Sequence, residues 1–220
     1  MHIGARAFYR AFYLRQIDLP NSLQVIGDRA FAHTVRLERL TIPAAVSYVG
    51  GWAFYNTPNL AITWHYNPAL NSRNFRYALT TVVVPYGVTT IADRAFEGAF
   101  RLSSVTLSST VEVIEGRAFQ GTAVTNLALP QGLRRIEKWA FYKSNLAQIT
   151  LPQGLEYIGA RAFHSLNLTT ITIPSSVTHV GAFAFYDTPN ITLTISRLAP
   201  THNWHYMWNQ SGLPIVWVWS

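Results

Sequence analysis

The sequence contains no cysteine, which excludes disulfides, thiolate metal sites and thiol catalysis. It is also poor in charge. Only 12% of its 220 residues are Asp, Glu, Lys or Arg, and ten of them are acidic. Lysine occurs only at Lys138 and Lys143, so arginine carries most of a formal charge of +7. A balance of that size permits contact with polyanions or anionic surfaces and specifies neither. No apolar run approaches the ~20 residues of a membrane-crossing helix, so no spanning segment is expected. Catalytic signatures are missing as well: there is no Gly-x-Ser-x-Gly, no phosphate-binding loop and no Gly-x-Gly-x-x-Gly. The histidines lack His-x-x-x-His and His-Glu-x-x-His spacing, and His202 and His205, three apart, have no acidic third ligand nearby. No metal, cofactor or enzymatic activity is expected.

What is present is a repeat. Ile26-Gly-Asp-Arg-Ala-Phe31 has near-copies starting at Ile3, Val49, Ile91, Ile114, Ile136, Ile158 and Val180. All end in Ala-Phe, at Phe8, Phe31, Phe54, Phe96, Phe119, Phe141, Phe163 and Phe185. Successive Phe are 22 or 23 residues apart, except for one gap of 42. Self-similarity at such a period means stacked coils, each burying its apolar edge on its neighbours. About nine coils are expected, with a sheet ~40 Å long at the ordinary strand spacing. Residues 1–220 read as one solenoid with sub-blocks 1–78 and 79–220. The chain opens inside a repeat, so the first coil is expected to lack its front half.

Residues 37–54 show the full unit. Leu40 and Ile42 alternate with polar residues, as in a half-buried strand. Pro43 removes an amide donor and turns the chain. Val46 and Val49 point inward from a tight turn or a short second extended segment. Gly50 is expected to give the backbone freedom at the next corner. Ala53 allows close approach of coils, and Phe54 fills the space between layers. Two regions break the period, after Thr57-Pro58-Asn59 and after Thr188-Pro189-Asn190. In the first, a coil has lost its Ala-Phe half. Both are rich in aromatics and share the tripeptide Trp-His-Tyr, as terminal or capping coils can be atypical.

The pattern Leu-x-x-Leu-x-Ile-Pro-x-x-Val-x-x-Val-Gly-x-x-Ala-Phe resembles the BspA-like, or treponemal-type, leucine-rich repeat. The resemblance covers nearly all of residues 3–195. In that class a Cys usually follows the Ala-Phe; here Thr34, Thr57, Thr122, Ser144 and Thr188 stand there, or the apolar Ala99 and Leu166. The resemblance implies a right-handed leucine-rich-repeat solenoid, mostly strand and loop with little helix, and a parallel sheet on its concave face. It also implies a binding or adhesion role, often at bacterial surfaces, which points to the cell surface or periplasm.

Three surfaces are candidates. In a leucine-rich strand, the residues between the inward apolar ones face solvent. Here these include Arg39, Thr41, Thr81, Val83, Ser104, Thr106, Asn126, Gln148, Thr150, Thr170 and Thr172, a small, polar row suited to a protein partner. The plain alternative is that Thr simply favours exposed strand positions. Second, Arg29, Arg94, Arg117 and Arg161 precede Ala-Phe and should align as a ridge able to hold a polyanion, or merely cover apolar surface with their stems. Third, Trp64-His65-Tyr66 and Trp204-His205-Tyr206, with Trp208, form either a partner-binding patch or a cap over the last core layer. The leading expectation is a non-catalytic module for protein interaction or adhesion through the sheet face and aromatic coils. The alternatives are polyanion or membrane-surface binding through the Arg ridge, and a homo-oligomer formed through the Trp-rich C-terminal strand. Nucleic acid is not an expected partner.

Overall fold

The computed structural model describes residues 1–196, 203–209 and 212–218. They fall into two compact units: Met1–Pro85 with Ala99–Val105, and Tyr86–Gly98 with Thr106–Ser220. Each is a parallel-strand solenoid, with two sheets in unit 1 and three in unit 2.

In unit 1 one sheet is made of two-residue strands, β1 (His2–Ile3), β2 (Val25–Ile26) and β4 (Tyr48–Val49), paired in parallel in that order. The second extended segment expected around Val49 is therefore a strand. The other sheet runs β3 (Arg39–Ile42), β5 (Ala61–His65), β6 (Leu79–Val83) and β8 (Ser104–Thr106). Its alternation of buried and exposed residues is the period-2 pattern of a strand with one wet face. The β5–β6 register slips between Ile62 and Thr63, where the irregular coil enters. A single turn of 3-10 helix, Ser72–Asn74, lies in that coil, capped by Asn71, whose Oδ1 accepts from Arg73 N at 3.1 Å.

Unit 2 repeats the scheme. Its five-stranded sheet consists of β7 (Thr90–Ile91), β9 (Val113–Ile114), β11 (Arg135–Ile136), β13 (Tyr157–Ile158) and β15 (His179–Val180). Across the coil, β10 (Asn126–Leu127) pairs with β12 (Gln148–Ile149). There too, β14 (Thr170–Ile173), β16 (Thr192–Ser196) and β17 (Ile215–Val218) form a three-stranded sheet.

The turn around Ala-Phe joins the coils. Arg29, Phe31 and His33 donate their amides to the carbonyls of Gly51, Ala53 and Tyr55 in the next coil, at 2.8–3.0 Å. The intervening amides of Ala30, Ala32 and Thr34 donate back to Gly27, Arg29 and Phe31 in their own coil. The turn thus satisfies all its amides while bending tightly. The bend requires two left-handed residues per coil. The residue before Ala-Phe has φ of 54–59° at Arg6, Arg29, Trp52, Arg94, Arg117, Trp139, Arg161 and Phe183. The second residue after the Phe has φ of 53–69° in all eight coils, and is glycine only at Gly98 and Gly121.

The Phe rings stack through the core. In unit 1, Phe8–Phe31 and Phe31–Phe54 lie 5.0 and 5.5 Å apart with nearly parallel planes. In unit 2, Phe119, Phe141, Phe163 and Phe185 continue at 5.4–5.5 Å. Where the resembled class has Cys, buried hydroxyls take over. Thr34, Thr57 and Thr122 Oγ1 donate to the carbonyl of the Phe three residues earlier, at 2.7, 2.8 and 3.0 Å.

The expectation for Gly50 is corrected. Its φ is not left-handed. A Cβ there would sit 2.6 Å from the carbonyl carbon of Gly27, so the glycine permits close stacking of coils. Gly181 is equivalent, with Ala160 Cα 2.8 Å from the same point. The left-handed corner lies two residues on, at Trp52.

Candidate functional site

The long-strand sheets expose the expected row. Arg39, Thr41, Ser104, Thr106, Asn126, Gln148, Thr150, Thr170 and Thr172 are exposed, and Thr81 and Val83 are half-buried. The parallel registers line up threonines into ladders. In unit 1, Thr41 faces Thr63 and Thr63 faces Thr81. In unit 2, Thr170 faces Thr192, and Thr172 faces Thr194, which faces Val216. Thr63, Thr192 and Thr194 are additions to the expected row. Their coils break the Ala-Phe period, although the alternation of Ile62-Thr63-Trp64 and Leu193-Thr194-Ile195 signals them. Each unit has a shallow depression on this face. One of about 350 Å³ lies along Gln16, Asp18, Arg39 and Thr41, and one of about 380 Å³ along Asn126, Ala128, Gln148 and Thr150.

The arginine ridge exists within each unit, but its cations are engaged. Arg29 lies 4.9 Å from the Trp52 ring, Arg117 4.1 Å from Trp139, and Arg161 5.1 Å from Phe183. Each guanidinium covers the aromatic residue of the next coil, a contact of ~0.5–1 kcal/mol at such exposed sites. Arg94 instead meets Asp93 at 3.4 Å and Glu97 at 4.0 Å. Beside this ridge a second column alternates Tyr and His edge-to-face: Tyr9, His33 and Tyr55 in unit 1, Tyr142, His164 and Tyr186 in unit 2. Burial holds the His164 pKa below the usual histidine value; Asp187 opposes this, while Arg161 and Lys143 add to it. On the opposite sheet Arg135 covers Tyr157 at 4.1 Å, and Tyr157 stacks on His179 at 4.5 Å. Burial lowers the His179 pKa, helped by Arg135 and His205 against Glu137. Burial raises that of Tyr157, Glu137 adding to the shift and Arg135 opposing it.

The aromatic coils divide. Trp64 and Tyr66 are 0% and 1% exposed, so of the first tripeptide only His65 faces a partner. This corrects its candidacy as a binding patch; the alternation of strand β5 carries both rings inward. Trp204 is buried too and donates from Nε1 to the Val177 carbonyl at 3.3 Å, a cap on the last layer. Tyr206 is 82% exposed, while His205 and Trp208 are half-buried. His202 and Trp219 lie outside the described residues. Among the described residues no three His, Asp or Glu side chains gather as a metal site would require, and no helix is long and apolar enough to cross a membrane.

A model of the BspA type leucine-rich repeat region, in six copies, matches residues 1–74 and 69–192. The chain belongs to the BspA-type leucine-rich repeat family. Among solved structures, a leucine-rich repeat protein from Bacteroides ovatus shares 23% identity at a TM-score of 0.60. It is matched over 99% of this chain, which spans 53% of that protein's length. The pneumococcal vaccine antigen PcpA shares 18% identity at a TM-score of 0.50, over all of this chain and 71% of PcpA. These likenesses show a shared repeat-solenoid fold. No curated protein matches the sequence.

Proposed function

We propose that the chain is a non-catalytic module that binds a protein partner on its threonine-rich sheet face. The observation that carries this reading is the set of threonine ladders, Thr41–Thr63–Thr81 and Thr172–Thr194, on strands whose other face is core. Short, branched, uncharged side chains give a flat surface with little conformational entropy to lose on docking. The stacked and paired arginines give the ridge less free charge than its residue count implies, so a polyanion role there has weaker support. A photo-reactive residue placed at Thr63 or at Thr172 tests the proposal in an extract of candidate partner proteins. A discrete partner should be captured from at least one position and lost on the Arg substitution in the same unit, Thr41→Arg or Thr150→Arg. Capture that survives those changes, or that is equally strong from Arg135 on the five-stranded sheet, would remove the threonine face from the mechanism.

A second reading is favoured by β17. Among the described residues that strand pairs with β16 alone, with Val216 and Trp217 48% and 43% exposed. An apolar edge strand is a template for pairing. Self-association there predicts that a chain ending before Leu213 scatters light as a smaller species than the full chain at equal concentration; equal masses would exclude it.

A further inference from the structure

In the first two coils of unit 1 the Ala-Phe turn hands its amides forward, from Arg6, Phe8 and Arg10 to one coil and from Arg29, Phe31 and His33 to the next. The third coil has the same backbone, with Trp52 and Asn56 at φ of 54° and 53°. It presents the amides of Trp52, Phe54 and Asn56 in the same direction. None of the three meets an acceptor among the described residues. The chain that follows lacks the Ala-Phe turn whose carbonyls would accept them. It supplies only a partial substitute: Asn74 Nδ2 donates to the Val49 carbonyl at 2.6 Å. In the preceding coils the equivalent carbonyls, of Ile3 and Ile26, accept from Gly27 and Gly50. Asn74 thus replaces one backbone donor, and nothing replaces the three carbonyls.

A groove of about 680 Å³ opens at this edge, lined by Trp52, Phe54, Asn56, Arg73, Tyr77 and Arg101 among others. The Phe column ends here too. Phe54 stacks on Phe31, lines the groove and is 8% exposed, against 0% for Phe31. The groove is basic. Arg101 is aimed by the carbonyls of Leu60 and Tyr77, at 3.1 and 3.4 Å, and neither it nor Arg73 forms an ion pair among the described residues. The sequence has no Asp or Glu between Glu38 and Asp93. Amides at alternate residues call for carbonyls at alternate residues of another backbone, the pattern of a peptide added at an open edge. Guanidinium groups that lack an ion pair call for carboxylates. The exposed rings of Trp52, Tyr55 and Tyr77 offer contact to apolar side chains between them.

We propose that this open edge is a docking slot for an extended, acidic peptide segment of a partner protein, which completes the interrupted ladder with its own carbonyls and pairs its carboxylates with Arg73 and Arg101. The slot is distinct from the sheet face and does not depend on it.

The test uses the full chain, labelled for amide exchange by NMR, and two capped ten-residue peptides, one alternating Glu and Val and one alternating Lys and Val. The Glu–Val peptide should slow exchange at Trp52, Phe54 and Asn56, and the Lys–Val peptide should leave them unchanged. Arg73→Glu, whose native side chain makes no hydrogen bond among the described residues, should weaken the Glu–Val peptide about tenfold or more, the worth of one lost charged contact. Thr41→Arg with Thr172→Arg should not change its binding, so failure of the sheet-face reading and failure of the slot are separable. The proposal is overturned if the acidic peptide protects other amides or none, or if the basic peptide protects the same three. It also fails if a sulfated oligosaccharide protects them as well as the peptide, which would make the edge a general anion site. Protection that rises with chain concentration alone would equally overturn it, because a second copy would then be the occupant.

Discussion

Trp64-His65-Tyr66 and Trp204-His205-Tyr206 are the same three residues in two settings. The first spans the end of strand β5, and alternation puts Trp64 and Tyr66 inside, 5.1 Å apart, with His65 outside. The second lies outside any strand. Trp204 still covers the core, but Tyr206 points to solvent and His205 turns in, its Nδ1 accepting from the Met207 amide at 3.1 Å. A side chain's exposure is set by its place in the coil, and identical local sequence does not fix it.

The two coils also finish their stacks differently. In unit 1 the aromatic coil buries Trp64 and Tyr66 and leaves all three turn amides without carbonyls among the described residues. In unit 2 the Met207 carbonyl accepts the Phe183 amide at 2.9 Å, while the amides of Phe185 and Asp187 meet no acceptor among the described residues, so one of the three is paired. The edges differ in charge as well: Arg73 and Arg101 stand at the first, and Asp187, accepting from Ser165 Oγ at 2.7 Å, at the second. Unit 1 holds nine basic residues against three acidic ones, a formal +6, whereas unit 2 holds eight against seven. The positive balance of the chain therefore resides in the unit with the open slot.

Four perturbations sharpen this contrast. The largest concerns the Phe columns. Phe141 has ring neighbours on both sides, and Phe141→Ala should cost about 3–5 kcal/mol in urea unfolding. Phe54, with one ring neighbour, should cost about 1 kcal/mol less on truncation; equal costs would mean that its outer face is covered. Next come the left-handed corners. A non-glycine residue there is strained by about 1–2 kcal/mol, so Lys143→Gly should stabilise by up to about 1 kcal/mol and Gly121→Ala should destabilise by a similar amount. If both destabilise, side-chain packing outweighs backbone strain at these corners.

Smaller effects follow from the buried hydroxyls and the histidines. Thr122→Val removes a donated bond and should cost about 1 kcal/mol. Ser144 Oγ is buried without a hydrogen-bond partner among the described residues, so Ser144→Ala should be neutral or slightly stabilising in thermal melts. His164 and His179 in unit 2 have pKa values held below 6.5. The unfolded chain thus binds more protons than the folded one just below that pH. Stability should be full above about pH 6.5 and decline as pH falls through the lowered folded values. His164→Phe should flatten that decline; an unchanged profile would remove His164 from the account.

The repeat was legible because packing permits few alternatives: Leu40, Ile42, Ala53 and Phe54 must recur where coils meet. The left-handed corners were not, because Arg, Trp, Phe and Lys have no preference for that conformation; only Asn56, Asp187 and the two glycines hint at it. The role of Gly50 was misread for the same reason, since a glycine in sequence does not distinguish backbone freedom from close approach. The sheet face was readable through alternation wherever the period held, and Thr63 and Thr194 were missed where it broke. The open edge had a trace in the 42-residue gap between Phe54 and Phe96, but which donors it strands depends on the turn's hydrogen bonds.

Amide exchange on the free chain, comparing the three edge amides with their partners one coil earlier, tests the central claim most directly. The account predicts that Trp52, Phe54 and Asn56 exchange about a hundredfold faster than Arg29, Phe31 and His33, because amides without an acceptor have no hydrogen bond to break while paired ones require local unfolding. Equal protection of the two sets would contradict it, showing that the interrupted coil leaves no edge to fill.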